Sequence, residues 1–137
     1  MRAVSVRTLL AVKRILVCAG AIVVLAGCGG SKTIPLYSQR LTEPCLRKHP
    51  GVDISRRVDF VASTADAAFR VHLPFNDATL SFTSSADAAN NIANAYRRFH
   101  SKNVGVEDVL RVSKNVVVLW RLHPKSDDEI VISNCLK

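Results

Sequence analysis

The chain has 137 residues, a formal net charge of +8, 48% hydrophobic and 22% charged residues, six Gly and five Pro. This length favours a single domain. The composition excludes a wholly disordered chain and a collagen-like chain, and no repeat of solenoid period is present.

The first residues have the pattern of an export signal. Residues 1–14 carry four basic side chains and no acidic one, and an apolar run of 11 residues follows at 15–25. A positive flank, a short apolar core and small residues after it are typical of a secretory signal peptide. The run is shorter than the roughly 20 residues that a membrane span needs, so an uncleaved anchor or a buried helix is the weaker alternative.

The end of this run resembles the lipobox of bacterial lipoproteins at all four positions, Leu25-Ala26-Gly27-Cys28. The resemblance implies that Cys28 is acylated, that residues 1–27 are removed, and that lipid anchors the chain on the extracytoplasmic face of the cell membrane. Two or three acyl chains hold a protein stably where one is marginal.

Removal of the signal changes the charge balance. The remaining residues include 15 basic and 11 acidic side chains, a net charge of +4. This excess suits a protein beside an anionic leaflet. Basic residues are dispersed and few tyrosines accompany them, so we expect no nucleic-acid partner.

The mature chain divides into a lipidated tether at 28–37 and one domain at 38–137. Small and polar residues broken by Pro35 predict a flexible spacer. Cys45 and Cys135 form an even pair outside the cytoplasm, which favours a disulfide closing a loop of 91 residues. Two buried free thiols or a metal pair are the alternatives, and no Cys-x-x-Cys motif or histidine cluster supports a metal.

The first half of the domain predicts a short helix and a hairpin. Residues 38–49 fit a helix that ends at Pro50-Gly51, and a short strand is predicted at 52–55. Residues 58–68 fit both helix and strand, and we favour a helical turn. Apolar and polar residues then alternate through 69–75 and 78–82, which predicts two half-buried strands joined by a turn.

The strongest helix pattern covers residues 84–102. Ser84 or Ser85 can cap it, and Asp87 lies in its first turn. One apolar stripe runs along it: Ala88, Ala89, Ile92, Ala93, Tyr96 and Phe99. Its last turns are cationic (Arg97, Arg98, His100 and Lys102), as the helix dipole favours, and a patch for anionic partners is the sharper interpretation.

The last third predicts a second hairpin and a terminal helix. Strands are expected at 109–112 and 116–122, and the continuous run ending in Trp120 indicates a central strand with both faces covered. We expect Trp120 in the core rather than on a ligand platform. Ser126 is predicted to cap a final helix, with a β-branched strand at 130–132 as the alternative.

This order predicts an α+β domain with a mostly antiparallel sheet of four or five strands. One long helix packs on a face, short helices lie near both ends, and a disulfide joins the terminal segments. The mature region also resembles small uncharacterised bacterial lipoproteins that end in an aliphatic–Trp strand and a Cys-Leu tail, here Val116 to Trp120 and Cys135-Leu136. That resemblance implies no activity.

Motifs for catalysis are lacking in the sequence. The four histidines (His49, His72, His100 and His123) have no metal-ligand spacing, and no serine nucleophile motif or phosphate loop occurs. We therefore expect no cofactor, metal or catalytic residue. The first hypothesis is a non-enzymatic binding or modulatory module of the cell envelope; the alternative is a small envelope hydrolase with a dispersed histidine site.

Partners of the binding module are expected to be an envelope protein or an anionic surface. Charge and strand face suggest five contact residues: Arg70, His72, Arg97, Arg98 and Lys102. The sequence indicates neither the oligomeric state nor the choice between inner and outer membrane.

Overall fold

The computed structural model describes residues 35–101 and 105–137, so the signal segment, Cys28 and Lys102 lie outside the described residues. Ten elements follow in chain order: α1 (Gln39–Leu46), β1 (Asp53–Ser55), a 3₁₀ turn (Ala62–Thr64), β2 (Ala67–His72), β3 (Asp77–Phe82), α2 (Ala86–Phe99), α3 (Val106–Val109), β4 (Leu110–Ser113), β5 (Val116–Trp120) and α4 (Ser126–Cys135). The predicted α+β class is confirmed.

The five strands form one antiparallel sheet in the order β1-β2-β3-β5-β4. Both predicted hairpins are present, and β5 lies between β3 and β4. Its central place explains the continuous apolar run: Val116, Val118 and Trp120 face one core, whereas Val117 and Leu119 face another. Trp120 is only 3% exposed, which confirms the expected core position.

Helices α1 and α4 cover the first face of the sheet. Phe69, Leu80 and Val118 pack there against Leu46 of α1 and Ile132 of α4. A disulfide between Cys45 and Cys135 joins the two helices, with a Cα–Cα distance of 5.4 Å. The predicted covalent link between the terminal segments is therefore confirmed.

Helix α2 covers part of the second face. Ala89, Ile92, Ala93 and Tyr96 are buried against Val117 and Leu110. The Ser85 hydroxyl accepts a hydrogen bond from the Ala88 N–H at 3.1 Å, so Ser85 is the N-cap. The apolar stripe was predicted to continue to Phe99, but Phe99 is 69% exposed, because α2 ends there beyond the sheet contacts.

Several other boundaries differ from the expectation. The strand predicted at 69–75 ends at His72, because the Leu73 N–H donates to the Asn76 carbonyl and closes a turn in which Phe75 is 77% exposed. Ser126 was predicted to cap α4, but it is the first helical residue; Lys125 is the capping residue and makes no side-chain cap bond. Val109 was placed in a strand, but it ends the short α3, and β4 begins at Leu110. The single turn of α3 aims the buried Val106 side chain at the α2 core.

A buried asparagine attaches the chain before α1 to the sheet. Asn115 is 3% exposed in the turn between β4 and β5, next to Lys114, whose φ is +51°. Its side chain accepts from the Tyr37 N–H at 2.7 Å and donates to the Tyr37 and Thr83 carbonyls at 3.0 and 2.8 Å. The backbone at Tyr37, just before α1, is thus fixed by side-chain hydrogen bonds that imitate a strand pair.

Candidate functional site

The second face of the sheet carries a groove beside the C-terminal end of α2. Its volume is about 560 Å³, within the range of small-molecule and side-chain pockets. The lining is mainly apolar: Phe60, Tyr96, Phe99, Val106, Val109 and Leu119. We call this site the α2-face groove.

Two exposed aromatic side chains flank the groove. Phe60 is 81% exposed and Phe99 is 69% exposed, although each could cover apolar surface by packing inward. Large exposed apolar side chains around a concavity indicate an interaction site more strongly than single ones scattered on a surface do. This arrangement is suited to holding an apolar or aromatic group supplied by another molecule.

A hydrogen-bonded pair fixes one wall of the groove. The Tyr96 hydroxyl lies 3.0 Å from both carboxylate oxygens of Asp59, and Asp59 Oδ1 also accepts from the Ala62 N–H at 2.9 Å. Burial raises the pKa of the Tyr96 phenol, and the neighbouring Asp59 carboxylate raises it further. Tyr96 therefore stays a neutral donor, and it holds the segment that carries Phe60 onto α2.

A smaller charged cavity of about 300 Å³ adjoins the groove and shares Asp59, Leu119 and Arg121 with it. Asp77 lines this cavity, with Oδ1 2.8 Å from His72 Nδ1 and Oδ2 3.4 Å from Arg121 Nη1. The His72 hydrogen bond, opposed by burial and assisted by Arg121, lowers the pKa of Asp77. The groove therefore has an apolar centre and a rim with charges of both signs.

The structure describes four of the five residues suggested as partner contacts. Arg70 lines the charged cavity, and His72 lies beside it, hydrogen-bonded to Asp77. Arg97 lies on α2 and binds Glu107 at 2.6 Å through Nε, so its guanidinium closes the loop after α2 rather than facing a partner alone. Arg98 is exposed on α2, and Lys102 lies outside the described residues.

The two cysteines and one histidine form a second cluster, on the opposite face of the sheet. Ligand atoms of Cys45, His49 and Cys135 lie within 4.8 Å of one another. The two sulfur atoms are joined in a disulfide, so neither is a thiolate, and His49 is the one remaining metal ligand of this cluster. The oxidised cluster therefore offers structural support rather than a ligand set for a metal.

Catalytic geometry around the histidines is limited to one pair. His72 and Asp77 have the carboxylate–imidazole contact that orients a general base. Within residues 35–101 and 105–137, the hydrogen bonds place no serine, threonine or cysteine on the His72 ring. The His100 ring is bonded to the Ser101 carbonyl. A hydrolase would therefore need its nucleophile from elsewhere or a bound water.

The sequence did not indicate Asp59 or Phe60 as site residues. Phe60 stood in a segment with two competing periodicities, and Asp59 is 37 positions from the Tyr96 hydroxyl that it binds. Only the packing of the 3₁₀ turn on α2 brings them together.

No known protein family, curated protein or solved structure matches this chain. Among the described helices, none is long and apolar enough to span a membrane. The geometry of the site is therefore the evidence that bears on function.

Proposed function

We propose that the mature chain is a lipid-anchored, non-enzymatic module of the bacterial cell envelope, and that it binds an envelope protein through the α2-face groove. The observation that carries the proposal is the position of Phe60 and Phe99, both largely exposed, on either side of an apolar groove of about 560 Å³.

The groove has the composition of a protein–protein contact. Such contacts are centred on aromatic anchors in well-packed pockets, and a polar rim surrounds the centre. Phe60, Phe99 and Leu119 would supply the centre, while Arg70 and Asp77 belong to the rim. Exposed aromatic groups gain the most when a partner removes them from water.

The charges of the rim favour a protein segment over an anionic polymer. Asp59 and Asp77 stand beside Arg70 and Arg121, so the cavity next to the groove has no excess of positive charge. A partner that inserts an apolar side chain and presents polar groups around it would satisfy both regions. A polyanion would be repelled there by the carboxylates of Asp59 and Asp77.

The anchor is supported by the lipobox-like residues that end at Cys28, and the disulfide suits a protein folded outside the cytoplasm. The mature protein is predicted to begin at Cys28 with added acyl mass. Intact-mass measurement on protein extracted from membranes tests this part, and a chain that retains residues 1–27 would contradict it.

Site-specific photo-crosslinking in living cells tests the groove. A photoreactive phenylalanine analogue replaces Phe99 in the full chain, and the matched control carries it at Phe75, which is 77% exposed in the turn between β2 and β3. We expect a discrete protein adduct from position 99 alone, and its loss in Phe60→Ala. Equal adducts from both positions, or none from 99, would refute the groove as the contact.

A small hydrolase is the second candidate, favoured only by the contact between His72 and Asp77. It predicts an activity of the purified protein on envelope esters or peptides that His72→Ala abolishes. The binding module predicts that His72→Ala leaves the adduct from position 99 in place. Activity and adduct formation, both measured on His72→Ala, therefore separate the candidates.

A further inference from the structure

The opposite face of the sheet carries a second cavity, at the place where the tether enters the domain. It has a volume of about 540 Å³ and lies between α4 and the hairpin of β4 and β5. Its apolar walls include Tyr37, Val118, Trp120, Ile130, Ile132 and Leu136. We call it the tether-side cavity.

We propose that the tether-side cavity receives an acyl chain of a bilayer phospholipid, so that this face of the domain rests on the membrane. The inference rests on the proposed anchor at Cys28. It adds a defined orientation and a lipid site to that anchor.

The length of the tether restricts what the cavity can meet. Six residues separate Cys28 from Pro35, and a fully extended chain spans at most about 25 Å over that stretch. A domain of this size has a radius of gyration of about 13 Å. The surface opposite the tether therefore lies much farther from Cys28 than the surface beside the tether. Tyr37 lines the cavity and is held by Asn115, so an anchored domain keeps this region close to the bilayer.

Apolar and polar side chains share the exposed rim of the cavity, and its polar members include Arg111, Ser126 and Ser133. Ile130 is 53% exposed on α4, and Leu36, immediately before Tyr37, is 48% exposed. Transfer of both side chains from water into contact with acyl chains is favourable. Tyr37 and Trp120 are also the residue types that occupy the boundary between lipid and water.

Two cations beside the cavity bind groups of the domain itself. Arg111 Nε lies 3.4 Å from Glu129 Oε1, and Lys114 Nζ donates to the Pro35 carbonyl at 3.0 Å. The walls also hold one buried donor without a hydrogen-bond partner, Trp120 Nε1. We therefore expect the acyl chain to be bound through burial of apolar surface. Such binding persists at high salt, whereas binding of an anionic headgroup would weaken.

The test uses Trp120, the single tryptophan of the chain. Acylated full-length protein from membranes is reconstituted into vesicles of phosphatidylethanolamine and phosphatidylglycerol, with or without bromine atoms on the lipid acyl chains. Bromine quenches tryptophan fluorescence only at short range. We expect brominated vesicles to reduce the emission of the wild-type protein by about half, at low and at high salt.

Variants separate this site from the anchor. Ile130→Glu places a charge at the mouth on an exposed helix position and is expected to abolish quenching while the protein still floats with the vesicles. Phe75→Glu, at an exposed position in the turn between β2 and β3, should leave quenching unchanged. A protein that does not float refutes the anchor; one that floats without quenching, or is quenched equally in Ile130→Glu, overturns the lipid site.

A second substitution guards against misfolding. Ser133→Leu, at an exposed position lining the cavity, adds apolar volume without charge and should also reduce quenching by occupying the space. Thermal unfolding of both variants should match that of the wild-type protein. Quenching that survives Ser133→Leu at full strength contradicts occupation of the cavity.

Discussion

The side-chain amide of Asn115 binds both backbone polar groups of Tyr37, accepting from its N–H and donating to its carbonyl. These two residues are 78 positions apart, and Asn115 is buried. The residues just before α1 are therefore attached to the turn between β4 and β5 as well as to α1.

Replacing Asn115 with Asp tests this attachment. The substitution keeps the shape but turns the donating nitrogen into an acceptor that faces the Tyr37 and Thr83 carbonyls. With two buried carbonyls left without a donor, we expect the free energy of unfolding to fall by about 3 kcal/mol. Urea denaturation measures it. A loss below that of an exposed control, Asn90→Asp on α2, would contradict the role of Asn115.

Reduction of the disulfide should destabilise the domain strongly. The bond joins residues 90 positions apart, and the chain entropy of a loop this long corresponds to about 4–5 kcal/mol. We expect the urea midpoint to fall sharply in a dithiol reductant, and Cys45→Ala with Cys135→Ala to reproduce the effect without reductant. An unchanged midpoint would show that the contacts of α1 with α4 suffice.

Much of the fold followed from local patterns. Alternation predicted the hairpin of β2 and β3, and Ser85 with Asp87 marked the start of α2. The expected export of the chain, together with the even pair of Cys45 and Cys135, predicted the disulfide. Each of these signals lies within a few residues or depends on a count, so the sequence contains it directly.

Local sequence patterns predicted less of the candidate site than of the fold. Phe99 continues the apolar stripe of α2 and therefore looked buried; its exposure depends on where the helix ends relative to the sheet. The partnership of Asp59 with Tyr96 depends on tertiary packing. Arg97 looked like a free cation but is paired with Glu107, on the other side of the loop.

Tyr96 should make the domain sensitive to alkali. The folded state raises the pKa of this phenol, whereas an unfolded tyrosine ionises near pH 10. Stability is thus fully present below about pH 10 and is lost as the pH rises toward the folded pKa, by up to about 1.4 kcal/mol per pH unit. Denaturation midpoints across this range measure the slope.

Tyr96→Phe supplies the control for that slope. It cannot ionise, so its midpoint should fall less steeply above about pH 10 than that of the wild-type protein. At neutral pH it should cost about 1–2 kcal/mol, because Asp59 loses a donor. Identical slopes in the two proteins would refute the assignment.

Asp77 should contribute at the acid end. The His72 hydrogen bond lowers the pKa of Asp77, and Arg121 lowers it further. The contribution of Asp77 to the free energy of unfolding is therefore present above the unfolded pKa of about 3.9, and it is lost as the pH falls through the lower folded pKa. Asp77→Asn should reduce the loss of stability below about pH 4. Asp66→Asn, at an exposed carboxylate, is the control, and an equal effect of both substitutions would contradict the prediction.

The Ser38 N–H donates to the Lys137 carbonyl at 2.5 Å. A short peptide linker could therefore join residue 137 to the start of the domain, and new ends could be opened at the exposed turn of Pro74 and Phe75. Such a circular permutant would move the attachment point of an anchor from one end of the sheet to the hairpin of β2 and β3. A fluorescent tag fused after Lys137, by contrast, would emerge beside Ser38, at the opposite end of the sheet.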